Sequence, residues 1–182
     1  MKGLVKTQAG FGHLALQEQT IAALGDDEIK IKVHYAGVCG TDIHTYEGHY
    51  NVNYPVTLGH EFAGEIVELG NNVEGFNIGD RVTSETTYYI CGQCQYCATG
   101  DYNLCSKRRG LGTQQDGAFA PFVIARAASV HRLPDNVTYQ AAAMTEPLAC
   151  AHHAVAKIDV KKGDKAVIMG PGPIGLLVAQ VV

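Results

Sequence analysis

Four cysteines fall within fifteen residues of this 182-residue chain, in the spacing Cys91-x2-Cys94-x2-Cys97-x7-Cys105. Closely spaced thiolates in a turn can wrap a tetrahedral Zn²⁺ ion, and four sulfur ligands leave no coordination position for a substrate. Such an ion would fix a long loop that lacks a core of its own. The segment is therefore predicted to be a structural zinc site.

Two other chemistries could explain the same cysteines. An iron–sulfur cluster favours C-x2-C-x2-C-x3-C followed by proline, whereas here the last gap is seven residues and Ser106 follows. Disulfides need an oxidising compartment. The first ten residues, MKGLVKTQAG, lack the apolar stretch of a signal peptide, so we expect a cytoplasmic protein in which clustered cysteines bind metal.

Charge and hydropathy exclude two classes of partner. The net charge of -4 disfavours nucleic acid, because phosphate binding needs clustered Lys and Arg. No apolar run reaches the ~18 residues that a membrane span requires. The length allows one domain with a core and a fragment of a second.

The order of short segments predicts a mainly β fold with some helix. Alternating apolar and polar residues, bounded by glycines, are typical of an antiparallel barrel or sandwich. Helical texture begins at Thr138, with an Ala-rich run to Ala143. The predicted strands are 28–38, 62–69, one entered through the turn at 78–82, and strand-like residues within 117–133, and a second helical stretch is 148–156.

A second set of potential metal ligands is spread along the chain. Cys39 ends a predicted strand, His60 and Glu61 precede another, and Glu146 stands at the start of a helical segment. Taken singly, each is more often a packed or surface residue than a ligand. The residues alone leave a metal site and ordinary packing equally open.

Several motifs together resemble the zinc-dependent medium-chain alcohol and polyol dehydrogenase family. GHEFAGEIVELGNNV is similar to the signature G-H-E-x2-G-x5-G-x2-V at every fixed position. GVCGTDIH, the four-cysteine loop, TEPLA and GPGPIG follow the order that this family uses, over essentially the whole chain. The resemblance implies a GroES-like catalytic domain of antiparallel, barrel-like strands, followed by the start of a Rossmann domain.

The resemblance also implies a catalytic zinc in addition to the structural one, hence two per chain. Cys39 and His60 are similar to the first two catalytic ligands. The family's third ligand, a cysteine in classical alcohol dehydrogenases, is matched by Glu146, as in the sorbitol and threonine dehydrogenase branch. Glu61 is a further possible ligand. One thiolate and one glutamate neutralise Zn²⁺, so we expect one carboxylate to bind directly and leave open which.

The proton path is implied by the same resemblance. Thr41 is similar to the relay hydroxyl, and His44 to the imidazole that passes the proton of the substrate alcohol to solvent. Asp42 is expected to hydrogen-bond a zinc ligand. Cys150 matches no ligand position and is interpreted as a small buried residue.

The last segment carries a dinucleotide-binding motif. Gly170, Gly172 and Gly175 follow a predicted strand at 165–169 and open a helix, which is the context that G-x-G-x-x-G requires. We therefore expect residues 1–157 to be the catalytic domain and 158–182 the start of a Rossmann domain. The acidic residue that hydrogen-bonds the ribose of the coenzyme would lie beyond Val182, so the sequence does not decide between NAD and NADP. We expect the chain to be the N-terminal half of a larger enzyme and inactive alone.

Three hypotheses about function follow. The favoured one is oxidation of a small-molecule alcohol or polyol by hydride transfer to NAD or NADP, in an enzyme expected to be a homo-oligomer. A zinc-free reductase of the quinone oxidoreductase type would lack Cys39, His60 and Glu146 as a set. A zinc-binding interaction module without catalysis would need only the cysteine loop.

Overall fold

A computed structural model describes residues 1–182 and contains ten strands and five α-helices. The strands are β1 (Lys2–Lys6), β2 (Leu14–Glu18), β3 (Glu28–Gly37), β4 (Val56–Thr57), β5 (Glu61–Leu69), β6 (Arg81–Ser84), β7 (Thr87–Tyr89), β8 (Arg109–Gly110), β9 (Phe122–Arg126) and β10 (Val130–Arg132). The helices are α1 (Gly40–Glu47), α2 (Gln95–Ala98), α3 (Tyr139–Ala142), α4 (Thr145–Ala156) and α5 (Pro173–Val181).

The strands form three antiparallel sheets. The largest has the order β10-β6-β5-β3-β9, and a three-stranded sheet has the order β2-β1-β4. β7 and β8 pair separately and flank the cysteine loop. The mainly β architecture predicted from the sequence is therefore confirmed.

The core lies against the five-stranded sheet. Along β3, buried Ile29 and Ile31 alternate with more exposed charged residues, whereas the first four residues of β5 are buried on both faces. The core cluster contains Ile29, Ile31, Phe62, Ile66, Val82, Leu111, Ala118, Val123, Ala125 and Val130. Burial of the apolar face of β3 makes the register of the sheet costly to change, because a slip by one residue would expose it.

The pairing of β3 with β5 positions the candidate site. Its register ends with Gly37 opposite Glu61, so the residues just after β3 lie beside those at the start of β5. A Cβ atom on Gly37 would overlap the carboxylate of Glu61, so only glycine leaves room for that side chain. Cys39 and His60, distant in sequence, thereby become neighbours.

Some local expectations were wrong. The predicted strand at 165–169 is not formed, because no strand of the chain pairs with it, and a strand is held by hydrogen bonds to a neighbour. The second helical stretch begins at Thr145 and not at residue 148. Within 117–133 only β9 and β10 are strands. None of the helices is long and apolar enough to cross a membrane.

Candidate metal sites and the clefts beside them

The four cysteines of the loop converge on one point. Their sulfur atoms all lie within 4.8 Å of one another. Sγ–Sγ distances are 3.5 Å for Cys94–Cys97, 3.6 Å for Cys91–Cys105 and 3.9 Å for Cys91–Cys97. Disulfide sulfurs are separated by ~2.05 Å, so these are four free thiols.

The spacing of these sulfurs fits one tetrahedral ion. With Zn–S bonds of ~2.3 Å, tetrahedral ligands stand about 3.8 Å apart, which is within the observed range. Sulfurs this close leave room for a single ion and not for a cluster of several iron atoms. The residues present therefore fit structural zinc.

The loop already favours anionic sulfur at some positions. Backbone N–H groups of Gln93 and Cys94 lower the pKa of Cys91 to about 6. The backbone N–H of Cys91 lowers the pKa of Cys105 in the same way. Burial raises the pKa of Cys97 to about 12, so this thiol becomes a ligand only when a cation is present to favour its thiolate.

The second constellation is also assembled. Single ligand atoms of Cys39, His60 and Glu61 all lie within 4.8 Å of one another. His60 and Glu61 are buried and Cys39 is half-buried. Burial raises the pKa of the Cys39 thiol, and the nearby carboxylates of Glu61 and Asp42 raise it further. A thiol, an imidazole and a carboxylate form a donor set that suits Zn²⁺.

Asp42 connects the two segments that carry these ligands. Cys39 is the N-cap of α1, and its backbone N–H donates to Asp42 Oδ2 at 2.9 Å. The backbone N–H of Gly59 donates to Asp42 Oδ1 at 3.4 Å. One buried carboxylate thus holds both the start of α1 and the turn before β5. The expected hydrogen bond of Asp42 to a candidate ligand is thus made to the backbone of Cys39, whereas His60 Nδ1 is 3.9 Å from Oδ1, too far for a hydrogen bond.

Glu146 lies near this site but outside the close cluster. It stands in the first turn of α4 and lines one cavity together with His60. Burial raises the pKa of its carboxyl group, while the imidazole of His60 counteracts the shift. The two candidate glutamates therefore differ: Glu61 is close to the thiol and imidazole, and Glu146 faces the adjacent cavity.

The two relay candidates lie on the same helix. Thr41 lines the cavity beside His60, and the Cys39 thiol donates to its Oγ1 at 3.6 Å. His44, one turn later, is exposed to solvent and pairs with Glu47. Residues three apart share a helix face, so the pair leads from the cavity to the surface.

A cleft of about 760 Å³ joins the metal ligands to the glycine turn. Cys39 and Glu61 line it together with Gly170, Gly172 and Gly175. Gly172 caps α5, so the N-terminus of this helix opens onto the cleft. A Cβ atom on Gly175 would overlap the carbonyl oxygen of Gly170, so the turn is closed against side chains there.

A smaller cavity of about 180 Å³ is predominantly polar. The sequence analysis did not identify Arg108, which lines this cavity. Arg108 donates to Thr87 Oγ1 at 2.8 Å and to Thr86 Oγ1 at 2.6 Å, with no carboxylate in salt-bridge contact. No local sequence pattern indicates that Arg108 lies here, because its position depends on contacts with residues 86–87, which are distant along the chain. The lining residues are Thr41, Tyr50, His60, Thr86, Arg108, Gly110, Leu111, Thr113 and Glu146.

The interpretation of Cys150 as a small buried residue was wrong. Cys150 is exposed on α4. It borders a third cavity, of about 430 Å³, which Glu146 and Arg108 also line. The Cys150 thiol belongs to neither cysteine-containing cluster.

Comparison with known proteins agrees with this geometry. Residues 25–135 match the alcohol dehydrogenase GroES-like domain family. Sorbitol dehydrogenase from Halalkalibacterium halodurans is 68% identical over 181 residues, covering 100% of the chain and 53% of that protein. D-arabitol-phosphate dehydrogenase from Enterococcus avium is 51% identical, covering 100% of the chain and 52% of that protein.

A solved structure extends the likeness to three dimensions. A zinc-binding dehydrogenase from Sinorhizobium meliloti, bound to NADP, superposes with a TM-score of 0.93 at 36% identity. The match covers 99% of this chain and 52% of that one. The chain thus spans about half the length of the relatives that it matches.

Proposed function

The chain belongs to the alcohol dehydrogenase GroES-like domain family, and from this premise we propose that it supplies the zinc-bearing half of a dehydrogenase. The reaction is oxidation of an alcohol or polyol by hydride transfer to NAD or NADP. The reading as a zinc-binding module without catalysis is not favoured, because the relatives in the comparison are dehydrogenases. The zinc-free reductase reading is disfavoured by the intact set of donor residues.

One observation carries the proposal. The cleft of about 760 Å³ is lined both by Cys39 and Glu61 and by the glycine turn. Hydride transfer needs the alcohol carbon and the nicotinamide ring in contact, with the coenzyme phosphates held some distance away. A single cleft that reaches from metal ligands to the N-terminus of a glycine-capped helix meets this need.

Cys39, His60 and Glu61 are proposed to hold the catalytic zinc. The zinc supplies Lewis acidity, which lowers the pKa of a bound alcohol. The chain contributes the geometry: Asp42 holds the two ligand segments together through the N–H groups of Cys39 and Gly59. Glu146 is proposed to face the substrate from the cavity side, where its half-buried carboxyl group accepts or donates a hydrogen bond according to its protonation.

The proton of the alcohol is proposed to leave through Thr41 and His44. The Thr41 hydroxyl lines the cavity that receives the substrate, and a hydroxyl can accept one proton while it donates another. His44 is exposed, so a proton that reaches its imidazole can pass to water. The relay thus runs along one face of α1.

The coenzyme is proposed to lie against Gly170, Gly172 and Gly175. Glycines let the backbone approach a pyrophosphate, and the N-terminus of α5 presents N–H groups and a partial positive charge to it. The choice between NAD and NADP is left open by these residues.

The substrate is proposed to be a polyol. The cavity of about 180 Å³ offers hydroxyl groups of Tyr50, Thr86 and Thr113 and the guanidinium of Arg108. Such a lining can satisfy several substrate hydroxyls, whereas a simple alkyl alcohol would leave these groups unpaired. A reducing compartment such as the cytoplasm belongs to the proposal, because the structural site needs free thiolates.

The test is an activity assay on the enzyme that carries this chain. Sorbitol, arabitol, their phosphates, threonine and ethanol are offered with NAD⁺ and with NADP⁺, beside a Cys39→Ala variant. We expect turnover of a polyol that is abolished by the substitution. Turnover that survives both Cys39→Ala and zinc chelation would overturn the proposal.

A further inference from the structure

The C-terminal end of α1 brings two histidines together. Gly48 adopts a left-handed conformation with φ of 82°, which reverses the chain directly after the helix. The backbone N–H of His49 then donates to the carbonyl oxygen of His44 at 2.8 Å, as in a Schellman motif. His49 is thereby folded back against the last turn, next to His44.

Glu47 lies between these two imidazoles. Its Oε2 is 3.1 Å from His44 Nδ1 and 3.4 Å from His49 Nδ1. The three ligand atoms all lie within 4.8 Å of one another. Around an ion with bonds of ~2.1 Å, tetrahedral ligands stand about 3.4 Å apart, so the three atoms are spaced as first-row metal ligands are.

We propose that His44, Glu47 and His49 form a third site, which binds a divalent transition metal such as Zn²⁺, Ni²⁺ or Cu²⁺. Imidazole nitrogen is the donor that these ions share, and one carboxylate offsets part of their charge. Solvent completes the coordination, because the two histidine side chains are 62% and 74% exposed. Without a thiolate, the site binds more weakly than the two sites that contain cysteine.

The site has a consequence for catalysis, and this consequence alone rests on the proposed function. A metal ion on His44 Nδ1 occupies a nitrogen of the imidazole that ends the proton path. The ring can then no longer take up a proton there and release it to water. Excess metal is therefore inhibitory, although neither His44 nor His49 lines the substrate cavity.

The binding test is a calorimetric titration of the zinc-loaded chain with Ni²⁺. We expect an additional binding event that is lost in Glu47→Gln and in His49→Asn. His131→Asn is the matched control, since His131 Nε2 has a single carboxylate neighbour, Glu85, at 3.4 Å and no second histidine. Absence of the event in the unaltered chain, or its retention in both variants, would overturn the site and leave only an imidazole–carboxylate pair.

An activity test separates the two proposals. In the enzyme that carries this chain, added Ni²⁺ lowers kcat of the unaltered protein, whereas His49→Asn resists inhibition and keeps its basal rate. Metal binding without inhibition would support the third site and overturn the role of His44 in proton transfer. Equal inhibition of the two proteins would refute the link between this site and the rate.

Discussion

The imidazole of His60 lies beside the carboxylate of Asp42, with Nδ1 3.9 Å from Oδ1 and no hydrogen-bond partner for that nitrogen. A buried ring nitrogen without a partner is unusual, because burial costs it the hydrogen bonds of water. A small tilt of the ring would bring Nδ1 to Asp42 and orient the opposite nitrogen toward Cys39 and Glu61. Metal ligation by histidine is commonly reinforced in this way.

Asp42→Asn should weaken zinc binding at the Cys39 site about 10-fold to 100-fold. The amide has one oxygen in place of two, so it cannot accept from both Cys39 and Gly59 and also from His60. Zinc affinity is measured by competition with a chelator. Asp80→Asn is the control, because Asp80 accepts from Asn77 in a turn far along the chain. Equal affinity in the two variants would refute the positioning role of Asp42.

Glu61→Gln should remove one zinc per chain, whereas Glu146→Gln should retain the full content. The reason is distance: Glu61 clusters with the thiol and imidazole, and Glu146 does not. Zinc is measured by elemental analysis after dialysis. Loss of one zinc in Glu146→Gln and full zinc content in Glu61→Gln would instead identify Glu146 as the ligand.

Cys94→Ser should also remove one zinc and should loosen the segment around it. Three thiolates and a hydroxyl bind Zn²⁺ more weakly than four thiolates. Limited trypsin digestion then cuts faster after Lys107 and Arg109, which follow the loop. Cys150→Ser is the matched control, since that thiol is exposed and outside both clusters. If both variants keep the same zinc content and cleavage rate, the loop is not a metal site.

Arg108→Leu should raise KM for a polyol roughly tenfold, with less effect on kcat, because a charge-assisted hydrogen bond to substrate is lost. Arg109→Leu provides the comparison, because Arg109 lies over the ring of Tyr89 on the surface. The measurement is the steady-state KM and kcat for a polyol in the enzyme that carries the chain. A KM unchanged by Arg108→Leu would remove Arg108 from the substrate site.

Tyr88 should make the fold sensitive to alkali. Its phenol donates to the carboxylate of Glu28, and burial together with this contact raises its pKa to about 12. The folded state therefore favours the protonated phenol more than the unfolded state does. This stabilisation is complete below pH ~10 and is lost as the pH rises toward 12.

The measurement is the free energy of unfolding in urea across that pH range. Tyr88→Phe should be less stable than the unaltered chain at neutral pH and should show less of the alkaline loss. Parallel pH profiles for the two proteins would contradict the assignment.

The sequence predicted what depends on local spacing. Cys91, Cys94 and Cys97 are close enough along the chain that any turn brings them together, and the alternation in β3 indicated the buried face of that strand. It did not distinguish Glu61 from Glu146, because their separation from Cys39 depends on the register of β3 with β5 and on where α4 packs. Arg108 was not identified for the same reason: its partners, Thr86 and Thr87, lie more than twenty residues earlier.

The segment 165–169 shows that a strand cannot be predicted from composition alone. Its composition favours a strand, yet composition cannot supply the neighbouring strand that a ladder requires. Gly170, Gly172 and Gly175 nevertheless form the turn and the start of α5, because glycine conformations and a helix N-terminus depend on local sequence.

The cysteine loop has a consequence for how such a protein can change over evolution. Thr86 and Thr87 enter the loop, Arg108 leaves it, and hydrogen bonds join them across a wall of the polar cavity. A zinc ion bound by the four cysteines would fix this wall independently of the apolar core. Substitutions in the wall can therefore be sampled without loss of folding, and new substrate preferences can arise on an unchanged scaffold.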